Sequence, residues 1–266
     1  MTRGRVAGIV AAVVVAAVLG VVLAGRGAGS PVAAAATKTG TTSAHVAFSL
    51  TLDGPKLGGK TVNVNGSGTV AGQSADITLT DSGAPATVPT SVHALLLQQN
   101  GDELAFVHAT PMPSLAGGKD WVEVDLTKLA SGHGVDLGSL GSGASGETPA
   151  QILGLLRGAG ASVTNLGPAT VGGVSTTHYR VSVDAAELVK AAGLPFSPTG
   201  KRATKTLPVN VWIGTADGLV HRVALSLKHA SFSATLSDYG TSVSVSAPPS
   251  SDVLNVTGLL GLATHR

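Results

Sequence analysis

Apolar and polar residues alternate along most of this chain. In Ala44–Leu52, every second residue from Val46 is apolar, while Ala47, Ser49 and Thr51 fill the positions between them. This period of two is typical of a strand with one buried and one wetted face. The same alternation recurs at Val62/Val64, Ile77/Leu79, Val122/Val124/Leu126, Tyr179/Val181/Val183, Val209/Val211/Ile213, Leu219/His221/Val223/Leu225/Leu227 and Phe232/Ala234/Leu236. Alternation at this density predicts an antiparallel sheet rather than buried parallel strands.

Two helices are predicted from their start and stop signals. Thr148–Gln151 is a capping box with a proline at the first helical position, and an apolar stripe follows it before Gly158. Asp184 and Glu187 form a second box, and that helix is expected to end at Gly193. The predicted fold is α+β and β-dominated, a curved antiparallel sheet with one or two helices packed on its concave side.

The N-terminal segment predicts export across a membrane. Val6–Ala24 runs for 19 residues without a charge or a proline, and as a helix it would measure about 28 Å, close to the thickness of a bilayer core. Arg3 and Arg5 precede it, which favours a cytoplasmic N-terminus. Two interpretations remain open: an uncleaved signal anchor, or a signal peptide cleaved at the A-x-A-like site in Ala33–Ala36. Either one places the rest of the chain outside the cytoplasm.

The next residues set the expected domain organisation. Leu23-Ala24-Gly25 resembles the start of a bacterial lipobox, but Arg26 stands where the lipidated cysteine would be, and the chain has no cysteine. Residues 27–42 are rich in small and polar residues and predict a flexible stalk. We therefore expect a signal peptide or anchor over 1–36 with its apolar helix at 6–24, a β-rich domain over 43–250, and a C-terminal tail over 251–266.

Composition and charge exclude several classes of function. Three of the 17 basic residues precede the domain, which leaves 14 against 15 acidic residues, a charge of about −1. A near-neutral domain with few aromatic residues offers little to a phosphate backbone or to nucleobases, so nucleic acid is not an expected partner. Without cysteine, disulfides, thiolate catalysis and zinc–thiolate sites are excluded.

Two glycine-rich segments match nucleotide-binding patterns. Gly54–Thr61 fits the Walker A pattern, but the residues after it alternate like a strand, whereas a P-loop needs a helix there. We interpret it as a hairpin loop. Gly141–Gly146 fits the dinucleotide fingerprint, but it lies in a low-complexity Gly/Ser stretch and is interpreted as a flexible loop.

The sequence predicts no catalytic residue, no metal ligand and no cofactor. A G-x-S-x-G motif is absent, and the eight histidines are scattered without a metal-ligand spacing. His178 and His221 lie in predicted strands, where a structural histidine is the expected role. An enzyme would need a serine, histidine and acid that converge only in three dimensions around one of them.

Four segments, taken in order, resemble the LppX/LprG-type lipoproteins of actinobacteria. They are residues 111–126, 172–181, 208–223 and 238–249, and the resemblance spans residues 40 to 255. It implies a LolA-like fold, in which a half-barrel of antiparallel strands is covered by helices and holds acyl chains. It also implies an acyl lipid or lipoglycan as the partner.

The resemblance and the alternation together name candidate residues for a lipid cavity. The sheet wall would consist of Val46, Phe48, Leu50, Ile77, Leu79, Val122, Val124, Val181, Val209, Val211, Ile213, Val223, Leu225 and Phe232. The lid would consist of Ile152, Leu155 and Leu156. The expected function is non-catalytic lipid binding or transfer at the extracytoplasmic face of the membrane, or in secreted form if the chain is cleaved near Ala36. The alternative is a non-catalytic envelope interaction or structural module with a filled core.

Overall fold

The computed structural model describes residues 30–53, 61–82, 89–111, 118–128, 162–184 and 206–257. They include helix α1 (Pro31–Gly40), a helical turn at residues 126–128, a short 3-10 helix (Ser250–Asp252) and a 12-stranded sheet. The strands are β1 (Ala44–Leu52), β2 (Val62–Ala71), β3 (Ser74–Ser82), β4 (Ser91–Gln99), β5 (Asp102–Thr110), β6 (Trp121–Asp125), β7 (Ser162–Val171), β8 (Val174–Asp184), β9 (Thr206–Gly214), β10 (Val220–Leu227), β11 (Ala230–Ser237) and β12 (Val253–Asn255).

The sheet is open, and its strand order is β12-β6-β5-β4-β3-β2-β1-β11-β10-β9-β8-β7. Neighbouring strands are antiparallel except for β12, which pairs parallel to β6. The prediction of a β-dominated antiparallel sheet is confirmed. Strand β2 begins just after the Walker-like segment and pairs with β1, which confirms the hairpin interpretation. Residues 141–146 and the predicted helices after Thr148 and Asp184 lie outside the described residues.

Strand register places the predicted sheet wall on a single face. Residues directly opposite each other in an antiparallel pair point to the same side of the sheet. Phe48 pairs with Ala234, and Leu50 pairs with Phe232. The same pairing continues toward one edge of the sheet across β10, β9 and β8, and toward the other edge across β2 to β6. We call this side of the sheet the apolar face and the other side the outer face.

Helix α1 replaces most of the flexible stalk predicted over 27–42. Its Pro31 occupies the first turn, where a missing N–H is tolerated, and alanine, the best helix former, fills the middle. Val32 and Ala35 pack against the apolar face beside Val220 and Val223. The stalk prediction is wrong for these residues because a helix that buries mostly alanine shows no strong apolar period in the sequence.

The predicted start of the C-terminal tail, at residue 251, also comes too early in the sequence, because residues 253–255 still belong to the sheet. Strand β12 extends the sheet next to β6 and ends at Asn255. Val245 and Val253 pack on the outer face against a separate buried cluster. That cluster consists of Leu95, Leu97, Leu104 and Phe106. The segment from 241 to 255 is therefore part of the domain and covers the outer face of β4 to β6.

Strand β10 contains an irregularity that the alternation did not predict. Val220 pairs with Ile213 and Arg222 pairs with Trp212, so His221 is an extra residue between the two pairs. A bulge of this kind shifts the following residues by one position. The predicted series that placed His221 on one face with Val223 is therefore broken, because Val220 rather than His221 lies on the apolar face with Val223.

Candidate functional site

The apolar face is continuous from β6 to β8, and its centre is buried. Nine side chains of β1, β2, β3 and β11 form the central cluster, and their exposed fractions lie between 0 and 8%. They are Val46, Phe48, Leu50, Val64, Ala75, Ile77, Leu79, Phe232 and Ala234. The rings of Phe48 and Phe232 stack with their centroids 6.4 Å apart. These residues give the sheet a broad hydrocarbon surface.

The remaining wall candidates lie toward the margins. Val211, Ile213 and Val223 are buried in a second cluster beneath α1. The other candidates are half-buried, namely Val122, Val124, Val181, Val209 and Leu225. The predicted lid residues Ile152, Leu155 and Leu156 lie outside the described residues. Sequence alternation therefore placed these wall residues on one face of the sheet, while their role in a lipid cavity and the lid itself stay predictions.

Two glycines of β2 shape the middle of the apolar face. A Cβ atom on Gly66 would lie 2.2 Å from the tip of the Phe48 ring, so this ring lies across the glycine. A Cβ atom on Gly68 would lie 1.9 Å from the backbone oxygen of Asp76. The backbone of β3 thus approaches β2 more closely than any side chain at position 68 would allow. Only glycine fits both positions in this arrangement.

Helix α1 closes one end of the apolar face through polar contacts. The Val220 N–H donates to the Thr39 hydroxyl over 2.9 Å, and Lys38 Nζ donates to the Asp217 carbonyl over 2.6 Å. The Tyr239 hydroxyl donates to the Val220 carbonyl. Burial raises the pKa of Tyr239, so this hydroxyl keeps its proton at all ordinary pH values. The helix end is therefore fixed to the start of β10 and not only packed on it.

His221 and Asp217 form a hydrogen-bonded pair beside this contact. Nε2 of His221 lies 2.8 Å from Oδ2 of Asp217, and the imidazole side chain is 8% exposed. The ring meets Tyr239 edge-on at a centroid distance of 5.4 Å. Oδ1 of Asp217 accepts the Leu219 N–H. The pair holds the turn between β9 and β10, as expected of a structural histidine.

The charge of Asp217 contributes to stability. Burial raises the pKa of this carboxyl, but the hydrogen bonds from the Leu219 N–H and from His221 outweigh burial, and the pKa lies below its ordinary value. Because the pKa of Asp217 is lower in the folded state than in the unfolded state, the ionised carboxyl contributes its full stabilisation at pH values above the unfolded-state pKa. It is lost as the pH falls below about 4 toward the folded-state value.

We expect Asp217→Ala to lower the free energy of unfolding by about 1–3 kcal/mol at pH 7, because it leaves the Leu219 N–H and a buried imidazole without their acceptor. Urea denaturation at pH 7 and pH 3 measures this loss, which should shrink at pH 3. Asp53→Ala is the matched control, since Asp53 binds His229 over 2.8 Å but both side chains are about half exposed. Its cost should stay below about 1 kcal/mol. Equal losses in the two variants would contradict the structural role of Asp217.

His178 also has a structural environment. Its ring stacks on Trp212 at 4.2 Å, and Nε2 lies 3.0 Å from Oδ1 of Asn210. Within the described ranges, no group of three or more histidine, aspartate or glutamate side chains is placed to bind a metal ion. Those ranges also contain no helix that has the length and apolar character needed to cross a bilayer.

No protein-family model matches the chain. A curated protein of Streptomyces griseus, described as an uncharacterized 31.2 kDa protein in the rplA-rplJ intergenic region, is 29% identical over 160 residues. The match covers 56% of this chain and 52% of that protein. The match thus spans about half the length of this relative.

Two solved structures from mycobacteria are also similar. The lipoprotein LppX of Mycobacterium tuberculosis is 21% identical, with 79% of this chain and 92% of that chain covered and a TM-score of 0.48. LprF of Mycobacterium bovis is 17% identical, with 81% of this chain and 93% of that chain covered and a TM-score of 0.41. The LppX/LprG-type lipoproteins, which the four sequence segments resemble, are thus among the proteins to which this chain is similar.

Proposed function

We propose that this chain is an extracytoplasmic lipid-binding or lipid-transfer protein of the cell envelope. Acyl chains would lie against the apolar face, and no covalent chemistry would be required. The domain would be held at the membrane by the predicted helix at 6–24, or secreted if that segment is cleaved. A lipid carrier needs a hydrocarbon surface, a way to exclude water from it, and an end where the headgroup stays wet.

One observation carries the proposal: an apolar face that continues across neighbouring strands, with Asp81 as a charged residue at the end of β3 beside Val64. Each apolar Å² removed from water contributes about 25 cal/mol, so an acyl chain laid along this face would gain several kcal/mol. A protein that needed only a core for stability could bury one cluster. Here two buried clusters adjoin on the same face, and half-buried valines and leucines continue it at the margins.

Strand direction indicates where the headgroup would lie. Helix α1 contacts the apolar face at the start of β1 and β10, beside Ala44 and Val220. At the opposite ends of the strands, Leu52 and Val62 are only half-buried, and Leu227 is 40% exposed. An acyl chain would therefore enter at the end away from α1 and point its tail toward the helix.

The first test is native mass spectrometry with organic extraction, on protein purified from the membranes of its own host. We expect about one acyl lipid per chain. Leu225→Trp should reduce bound lipid at least fivefold, because its bulk would fill the half-buried margin of the apolar face. Ser226→Trp is the matched control, since the neighbouring side chain points to the outer face and is exposed. It should keep the wild-type lipid content.

The alternative is an envelope interaction or structural module whose interior is filled by its own side chains. The small exposed fractions in the central cluster favour a filled core as much as a lipid site. In that case the chain would show a bare polypeptide mass under conditions that keep lipid on a known carrier. That result would refute the carrier proposal and direct the search to protein partners.

A further inference from the structure

The apolar face of β4 and β5 is arranged in four cross-strand rows, of which the last is polar. The first three rows are apolar pairs, namely Val92 with Ala109, Ala94 with Val107, and Leu96 with Ala105. The fourth row, beside the turn at Asn100, pairs Gln98 with Glu103. With a rise of about 3.4 Å per residue, about 20 Å separate the first row from the fourth. An extended decyl chain would fit along this length.

The three apolar rows are only partly covered, because the buried core of these strands lies on the outer face. Except for Ala109, the side chains of the three rows are half-buried. On the outer face, residues 241–255 cover the buried cluster of β4 and β5. Helix α1 packs on β9 and β10, which lie beyond β1, β2 and β3 from these rows. The rows thus keep partly uncovered hydrocarbon surface on the apolar face.

The carboxyl of Glu103 lies at the end of these rows. Its neighbour Leu104 is buried on the outer face, so Glu103 points to the apolar face, where it is half-buried. The Glu103 N–H donates to the Thr127 hydroxyl over 2.9 Å. Among the described residues, no group forms a hydrogen bond or an ion pair with the carboxyl itself. Burial raises the pKa of this carboxyl above its ordinary value, because its charge is desolvated without compensation.

The charges around Glu103 favour a cation as its partner. Lys128, which follows Thr127, binds Asp125 over 2.5 Å and Asp102 over 3.4 Å, so its charge is directed to those two carboxylates. Among the described residues, Asp102, Glu103 and Asp125 against Lys128 leave this corner of the domain negative. A phosphate or carboxylate headgroup would be repelled here, whereas an ammonium group would compensate the desolvated charge of Glu103.

We propose that the four rows bind a single-chain amphiphile with a cationic amine, whose amine contacts Glu103 and whose alkyl chain lies along the rows toward Val92. We call the four rows the amine site. The inference rests on the proposed function in one respect, that the apolar face takes up hydrocarbon, and it adds a ligand class and a recognition residue. The polar end of this ligand would lie beside the turn between β4 and β5. That direction is opposite to the one proposed for an acyl chain beside β1 and β10.

The test is photoaffinity labelling of the full chain in membranes of its own host. Three decyl probes carry a diazirine in the chain and differ only in the end group, which is an amine, a hydroxyl or a carboxylate. Mass spectrometry of the peptides locates the labelled residues. We expect the amine probe to label β4 and β5 at least fivefold more than the carboxylate probe, because the end group meets a negative corner. Excess decylamine should compete with this labelling, and excess decanoate should not.

A single substitution separates recognition by Glu103 from general attraction to an acidic surface. Glu103→Gln should reduce labelling of β4 and β5 by the amine probe at least fivefold, since a charge-assisted contact is replaced by a neutral one. Labelling by the hydroxyl probe should change by less than about twofold. Asp102→Asn is the matched control, because it removes the neighbouring carboxylate, which binds Lys128 on the outer face. It should leave labelling by the amine probe at the wild-type level.

The possible outcomes are distinct from one another. Without a ligand, Glu103→Gln should unfold at or above the wild-type temperature, because a buried charge without a partner is costly, so lost labelling would not reflect lost structure. Equal labelling by the amine and carboxylate probes, or an equal loss in both variants, would overturn the amine site and leave acyl binding elsewhere on the apolar face intact. Labelling of no part of the apolar face by any probe would contradict the proposed function as well.

Discussion

A chain that begins at Thr37, the product of cleavage after Ala36, is expected to be less stable than a chain that begins at Gly27 by about 4 kcal/mol or more. The truncation removes the buried side chains of Val32, Ala33, Ala35 and Ala36. Burial of one valine contributes about 2 kcal/mol and each alanine methyl about 0.8 kcal/mol. The exposure of Val220 and Ile213 beneath the helix adds to the loss. Denaturant unfolding of the two chains measures the difference.

The burial of α1 also bears on how the N-terminal segment would be processed in the proposed export. Ala36 is fully buried, so cleavage there would give a domain without most of α1. We expect the mature chain to retain residues 31–40, which the intact mass of protein from host membranes will show. A mature chain that starts at Thr37 with undiminished stability would contradict the assignment of α1 to the domain.

Gly68→Ala is expected to destabilise the domain by about 3 kcal/mol or more. The new methyl group would meet the backbone oxygen of Asp76 and, at 2.8 Å, the Cα atom of Ile77. Backbone atoms of a paired strand cannot turn away as a side chain can, so β2 and β3 would have to separate. Thermal or urea denaturation gives the change in stability.

Two other positions on β2 provide the comparison. Ser67→Ala changes the neighbouring residue, whose side chain points to the outer face, and should alter stability by less than about 0.5 kcal/mol. Gly66→Ala should fall between them, because its methyl group would meet the ring of Phe48, a side chain that can move. Equal stability of the Ser67 and Gly68 variants would mean that the two strands are not as close as described.

The sheet and its apolar face could be predicted from sequence because alternation reports directly which residues share a face. Val46, Phe48 and Leu50 were assigned together in this way, and β1 places them together. Alternation says nothing about which strands are neighbours. The pairing of β1 with β11, which joins the two halves of the apolar face, is a contact between distant segments that local pattern cannot reveal.

The features that the sequence analysis missed have physical causes of their own. Strand β7 is largely exposed and polar, so it lacks the apolar alternation of a half-buried strand. Helix α1 buries alanines, whose small side chains resemble those of a flexible linker in composition. His221 was placed on the wrong face because a bulge adds one residue, and no local signal marked it.

The pairing of β1 with β11 also affects how the chain acquires its fold during synthesis. Leu52 pairs with Ala230, so the middle of the sheet cannot close until about 180 further residues have been synthesised. At synthesis rates of about 5–20 residues per second, this takes on the order of 10 s. During that interval, one edge of β1 has no neighbouring strand, and Val46, Phe48 and Leu50 lack half of their packing. The contact order of this sheet therefore makes the emerging chain a target for chaperones and proteases.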